Sequence, residues 1–204
     1  RKTEHQVFNT VCTAKRSWIE FQQLGDANAA ETINRRIRKA ITVGKALTEA
    51  DCPDPSDGET YEYSNESYLR GEWKRFVGIH TSVIFPGGSG RVANQCGVFD
   101  LQTGKQYDLH KFLKKSAADR LKNKIATQAE KDNTPSSYFP INLDWEVFCL
   151  DDNGISASIH PDSATAPAIW SELVIPFEEV DTFFDLPDVM KEDVKQMATI
   201  PHPG

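Results

Sequence analysis

The clearest pattern in the chain is a helical one. From Ala27 to Ala50 the small and apolar positions Ile33, Ile37, Ala40, Ile41, Gly44 and Leu47 fall on one face. Gly25-Asp26 precedes them, and Asp26 or Asn28 can cap the helix. Leu121, Ile125 and Ala129 mark a second helix, with Ser116 as its expected cap, Asp119 completing a capping-box-like pattern, and Asn133-Thr134-Pro135 as its stop. His110–Leu113 predicts a helical turn and Leu186–Ile200 a short terminal helix. The other patterned stretches read as strands. They are Phe8–Phe21, Tyr61–Phe76 with a bend at Asn65-Glu66, Val77–Phe85, Arg91–Leu101, a short Gln106–Leu109 and Asn142–Leu150. After the turn Asp152-Asn153-Gly154, the residues Ile155, Ala157 and Ile159 alternate with Ser156, Ser158 and His160, the period of a half-buried strand. Leu173–Phe177 is a short apolar run. Pro176 has no N–H to give to a ladder, so this strand should end there or lie at a sheet edge.

The predicted order is a strand, a helix and two or three strands, then a turn, a helix and three strands. This is an α+β fold of two helix-on-antiparallel-sheet lobes packed into one compact unit. The expected division is an N-terminal lobe at 1–106, a C-terminal lobe at 107–185, and a short helix and tail at 186–204.

Charge changes the picture in the second half. The net charge is −7 over 204 residues. Residues 1–132 hold 21 Lys or Arg against 17 Asp or Glu, whereas residues 133–190 hold 11 acids and no Lys or Arg. Such a tract repels nucleic acid and suits a cationic partner, and it equally suits a solvated surface. The basic face of the first helix, Arg35, Arg36, Arg38 and Lys39, has no Gly-rich phosphate loop or aromatic platform interleaved with it and reads as solvated. No apolar run approaches the roughly 18–20 residues that span a bilayer. Arg1–His5 has no apolar signal core, so an export signal or membrane anchor is expected outside this sequence.

The four cysteines Cys12, Cys52, Cys96 and Cys149 show neither CxxC spacing nor an accompanying His cluster, which argues against zinc. An even number suits two disulfides in an oxidising compartment. Of the three connectivities, Cys12–Cys52 with Cys96–Cys149 is preferred, because the first bridge would tie a strand to the end of the helix that follows it. Four buried thiols in a reducing compartment are the alternative.

Candidate chemistry concentrates in the loop that starts at His160. Pro161 and Pro167 hold it, it lies between two strands, and rigidly carried loops are where binding sites gather. Trp170 and Tyr138 fit a stacking platform or an interface anchor, and Trp170 equally fits a core position. His160, Asp162 and Ser163 are the residue types of a hydrolytic triad. Residues this close in sequence cannot take up the triad's mutual geometry, because its members come from separate elements. The pairs Asp144/Glu146 and Asp151/Asp152 read as turn and surface carboxylates. Pro86-Gly87-Gly88-Ser89-Gly90 lacks the Gly-Lys-Ser/Thr close of a phosphate loop and reads as a hairpin turn. No catalytic signature, metal site or cofactor site is expected.

Several motifs resemble the RsiV-like family, the extracytoplasmic module of lysozyme-sensing anti-sigma factors that also precedes some PdaC-type peptidoglycan deacetylases. Phe99-Asp100-Leu101-Gln102-Thr103-Gly104-Lys105 is similar to that family's F-D-hydrophobic-x-T-G-K hairpin. Leu109 with Phe112-Leu113 resembles its helix entry. Phe148, Leu150 and Asn153-Gly154-Ile155 resemble its second hairpin. His160-Pro161 with Ala166-Pro167 resembles its A-P-Y loop, and Val174-Ile175-Pro176-Phe177 its V-x-I-P-Y strand. Ile33-Asn34 matches an I-N pair in its first helix. Asp162, Ala168 and Phe177 stand where the family carries Tyr, and Pro86–Gly90 lacks its His.

The resemblance implies an extracytoplasmic domain that binds rather than catalyses, with a basic protein such as lysozyme or peptidoglycan as partner. The expected contacts are His160, Pro161, Asp162, Ser163, Pro167, Trp170 and Tyr138. A structural or regulatory domain of an envelope lipoprotein with an unrelated partner is the second reading, and a hydrolase the third.

Overall fold

The structure is a computed structural model and describes residues 2–7, 12–22, 24–42, 52, 61–84, 92–132, 141, 143, 147–159 and 171–199. The fold is α+β. Strands β1 (Lys2–Val7), β2 (Cys12–Trp18), β3 (Tyr61–Glu72), β4 (Phe76–Ile84), β5 (Val92–Asp100) and β6 (Gln106–Tyr107) form one sheet in that order. Strands β7 (Val147–Asp151), β8 (Gly154–Ile159) and β9 (Ser171–Pro176) form a second. Helices α1 (Ala27–Thr42), α2 (Ala118–Lys131), α3 (Phe177–Phe183) and α4 (Asp188–Met197), with 3₁₀ turns at Leu109–Phe112 and Lys115–Ala117, complete the described elements.

The chain divides into two units that are not consecutive stretches. Unit 1 comprises Arg1–Leu69, His80–Gln95 and Leu101–Lys105, and unit 2 comprises Arg70–Ile79, Cys96–Asp100 and Gln106–Gly204.

In unit 1, β1 and β2 form an antiparallel pair running from Lys2↔Trp18 to Val7↔Thr13. A single strand over Phe8–Phe21 was the expectation, and β1 was not foreseen. All six of its residues are exposed, so it carries no buried alternation for a pattern to reveal. β2 then pairs parallel with β3, from Cys12↔Tyr61 to Ser17↔Glu66, with α1 lying between them in the chain. Parallel neighbours need a long crossover, and a helix supplies it. Ala29, Ala30, Ile33, Ile37 and Ile41 of α1 are buried, while Arg35, Arg36, Arg38 and Lys39 are exposed, as the 3.6-residue period requires. The Asn28 N–H donates to the Asp26 side chain at 2.8 Å, so Asp26 is the cap. Asn34 fastens the helix to the chain after β2: its Nδ2 donates to the Phe21 carbonyl at 2.8 Å and its Oδ1 accepts the Phe21 N–H at 2.9 Å. At the other end, Asn65 Nδ2 donates to the Ile41 carbonyl at 2.8 Å. Cys12 is bonded to Cys52 with 5.9 Å between Cα atoms. Gly104, at φ +69°, turns the chain beside α1, where a Cβ would stand 3.0 Å from the Ala29 carbonyl.

In unit 2, β3 runs unbent to Glu72 and reverses through Trp73-Lys74-Arg75, closed by Trp73 N–H donating to the Phe76 carbonyl at 2.8 Å. The expected bend at Asn65-Glu66 is absent. Both residues lie inside the ladder, where β3 pairs with β2. β6 pairs antiparallel with β5 through Val98↔Tyr107 and Phe99↔Gln106. The second sheet is antiparallel, with β8 central. Ile155 and Ala157 are fully buried, and so is Ser156, which the alternation had placed outward. A central strand covered on both faces does not display the half-buried period.

The core of unit 2 gathers Trp73, Phe76, Leu121, Ile125, Leu150, Ile155, Phe183 and Phe184, each at most 1% exposed. Its rings meet edge-on or tilted: Trp73–Phe177 at 5.4 Å, Phe76–Tyr107 at 5.8 Å and Phe148–Phe184 at 5.5 Å. The Trp73 indole donates to the Asp151 carbonyl at 3.0 Å. Cys96 is bonded to Cys149 with 5.5 Å between Cα atoms. Ser116 does not cap α2. It lies in a 3₁₀ turn, Lys115–Ala117, and the cap position is Ala117 with no side-chain bond. α3 was not foreseen. Pro176 ends β9 as expected, and its extended backbone (φ −66°, ψ 159°) sits at the helix N-cap. Phe177, Val180 and Phe183 then fall on one buried helical face.

Candidate functional site

The strand pair β8–β9 is the part of unit 2 that presents a connecting segment. Its register runs from Gly154↔Pro176 to Ile159↔Ser171, so the two described residues that flank positions 160–170 are paired neighbours. At the opposite end of β8, Asp151 Oδ1 accepts the Asn153 N–H at 3.0 Å. Gly154 there has φ +150°, and a Cβ on it would fall on the Ile175 carbonyl. Only glycine fits that close approach. His160, Pro161, Asp162, Ser163, Pro167, Trp170 and Tyr138 lie outside the described residues. The four cysteines named from sequence form the two bridges given above, in the preferred connectivity.

The acidic tract is compensated in space by cations from outside it. Arg70 on β3 contacts Asp151 at 3.2 Å and Glu172 at 2.5 Å, from β7 and β9. Lys124 on α2 meets Glu179 at 2.7 Å, and Lys191 on α4 meets Asp185 at 2.7 Å. The Lys191 hydrogen bond, reinforced by its charge, holds the Asp185 carboxyl below its ordinary range and raises the Lys191 ammonium in turn. Asp152, Glu178, Asp181 and Asp188 remain exposed. Glu178 and Asp188 stand in the first turns of α3 and α4, where the helix dipole favours an acid.

Two further ionic groups are structural. Arg75 forks onto Asp100, with Nε to Oδ1 at 2.9 Å and Nη2 to Oδ2 at 2.7 Å, and this bond raises the guanidinium pKa. Asp100 is 1% exposed. The Arg75 N–H donates to Asp193 Oδ2 on α4 at 2.7 Å. Burial pushes the Asp193 carboxyl above its ordinary value, against the opposing pull of that bond and of the Arg75 and Lys74 charges.

A second surface feature was not read from the sequence. The outer side of α2 and Leu173 of β9 enclose a groove of about 350 Å³, lined along the helix by Arg120, Asn123, Lys124, Thr127, Gln128 and Lys131. The helical spacing of these polar residues was available, but nothing in the sequence placed Leu173 opposite them. Among the described residues no group of three His, Cys, Asp or Glu gathers to hold a metal, and no helix is long and apolar enough to cross a membrane.

The two sheets and the two bridges define a disulfide-bonded α+β fold. The same fold is found in two solved structures of DUF3298 family proteins. One is from Pseudomonas aeruginosa PAO1, with a TM-score of 0.64 at 12% identity over 91% of this chain and 93% of that one. The other is from Bacteroides fragilis NCTC 9343, with a TM-score of 0.62 at 13% identity over 96% and 95%. No protein-family model matches the chain, and no curated protein matches it in sequence.

Proposed function

We propose that this chain is an extracytoplasmic binding domain without catalytic activity, whose partner is a lysozyme-like cell-wall enzyme or cell-wall glycan. The observation that carries the reading is the pairing of Ile159 with Ser171, the two residues that flank positions 160–170 in the chain. A rigid scaffold of that kind lowers the ordering cost of binding. The two disulfides support an oxidising compartment. The fold neighbours support the family reading, since DUF3298 proteins are related to RsiV-like domains. Trp170 supplies the aromatic anchor, and His160, Pro161, Asp162, Ser163 and Pro167 surround it in sequence, with Tyr138 as a further contact.

The test is surface plasmon resonance on immobilised hen lysozyme, with sedimentation on purified peptidoglycan in parallel, at low and at physiological salt. Binding to one of them is expected, weakened at least about tenfold in the variant His160→Ala/Trp170→Ala at an unchanged melting temperature. Failure to bind either at low salt overturns the proposal, and so does full binding by the variant.

A further inference from the structure

We propose that the groove between α2 and Leu173 is a separate site for an extended anionic polysaccharide, carboxylated or phosphorylated. Arg120, Lys124 and Lys131 form one stripe at spacings of four and seven residues. At 1.5 Å per residue the stripe spans roughly 16 Å of helix, too long for a single small anion and suited to a repeating one. Asn123 and Thr127 lie between the cations, and neutral hydrogen-bonding groups beside charges match a chain that carries both hydroxyls and acidic groups.

Helix physics accounts for only part of this stripe. Lys131 stands in the last turn of α2, where the dipole favours a cation. Arg120 stands in the first turn, where the dipole disfavours one. Its guanidinium lies 4.9 Å from the centre of the Phe183 ring, a cation–π contact that does not consume its N–H donors. Lys124 is engaged with Glu179, but both side chains are more than a third exposed, and such a pair exchanges readily for a multivalent anion. Leu173 is the one apolar side chain in the lining, and the remaining apolar surface belongs to the stems of polar and charged residues. A bound peptide would want a buried aromatic or aliphatic anchor, which this lining does not provide, so the chemistry favours a glycan over an acidic peptide. A basic protein such as lysozyme would be repelled here, which separates this site from the one proposed above.

The experiment is calorimetric titration of the full chain at low salt with four probes. These are an oligogalacturonate, a phosphomannan oligosaccharide, a neutral chito-oligosaccharide and an oligoglutamate peptide. One of the two anionic glycan probes should bind, with affinity falling as salt rises, and the chito-oligosaccharide should not. Arg120→Gln/Lys131→Gln should weaken that binding at least tenfold and Lys131→Gln alone about threefold, while Lys122→Gln, which like Lys131→Gln removes one charge from α2 but outside the groove, should change it less than twofold. Should the double variant melt early, Lys131→Gln alone decides. The proposal is overturned if neither anionic glycan binds, if the neutral sugar binds equally, if the peptide binds more tightly, or if the groove variants bind as the parent does. Lysozyme binding, measured in parallel, should be the same in parent and groove variants.

Discussion

Replacing Gly71 by Ala tests how closely the end of β3 lies on β7. A Cβ at position 71 would stand 2.6 Å from both the Asp151 Cα and the Leu150 carbonyl oxygen, and 2.7 Å from the Asp151 carbonyl carbon. All three are main-chain atoms, so no side chain can swing aside. The Leu150–Asp151 backbone is also held from its other side. Leu150 pairs with Ile155 and Asp151 with Gly154, and the Asp151 carbonyl accepts the Trp73 indole. Relief therefore requires β3 to lift or the β7–β8 ladder to open. Overpacking of this kind costs roughly 1–3 kcal/mol. Against it stands the lower unfolded-state entropy of Ala, about 0.4–1 kcal/mol. The net loss is about 1–2 kcal/mol, or about 0.5–1 M in the urea midpoint for a slope of about 2 kcal/mol per M. Gly25→Ala is the matched control. Nothing lies within 4 Å of a Cβ there, so that change should be neutral or raise the midpoint slightly. An unshifted midpoint for Gly71→Ala, or an equal loss at Gly25, would refute the reasoning.

Two further changes test the bridge and the buried carboxyl. Cys96→Ala/Cys149→Ala opens a link between residues 53 apart and should cost about 4 kcal/mol by chain entropy, read as a lower urea midpoint that added reductant does not lower further through this bridge. Asp193 has its pKa raised in the fold, so it favours the folded state fully below its ordinary carboxyl value and loses that contribution as pH rises through the folded value. Asp193→Asn keeps an acceptor for the Arg75 N–H and cannot ionise. Its stability relative to the parent should therefore be greater at neutral pH than at pH below about 4, and a larger advantage at acid pH would show that pairing outweighs burial.

Some of the fold was legible in the sequence because local pattern and tertiary role agree there. The Ile33, Ile37 and Ile41 stripe is buried as its spacing predicts, and Asp26 caps the helix. Pro176 ends its strand because it has no N–H of its own to donate to the ladder. Elsewhere the context decides. Ser156 reads as outward-facing and is buried, because β8 is central and covered on both faces. Phe177 reads as the end of the apolar run that begins at Leu173, and the helix it opens is only seven residues long, too short for its periodicity to stand out. The parallel pairing of β2 with β3 depends on a contact far apart in sequence, which no local period encodes. The residues proposed for partner contact read as a loop from Pro161, Pro167 and the flanking strands, and they lie outside the described residues.

The charge pattern shows why sequence blocks mislead about surfaces. Between residues 133 and 190 there is no cation, which by itself suggests an uncompensated acidic face. In space, Arg70 sits on Asp151 and Glu172, Lys124 on Glu179 and Lys191 on Asp185, so four of those carboxylates are answered by residues before or after the tract. Glu178 and Asp188 are placed where helix first turns favour acids. Ion pairing and helix ends thus account for most of the described acidic positions without any partner. Charge steering toward a basic protein is left to the net charge of −7, a term that salt screens over about 10 Å. The proposal of partner binding consequently rests on the paired strand ends Ile159 and Ser171 more than on acidity. A lysozyme affinity insensitive to salt would be consistent with that, whereas a steep salt dependence would return the weight to Asp152 and Asp181, the exposed carboxylates that neither account covers.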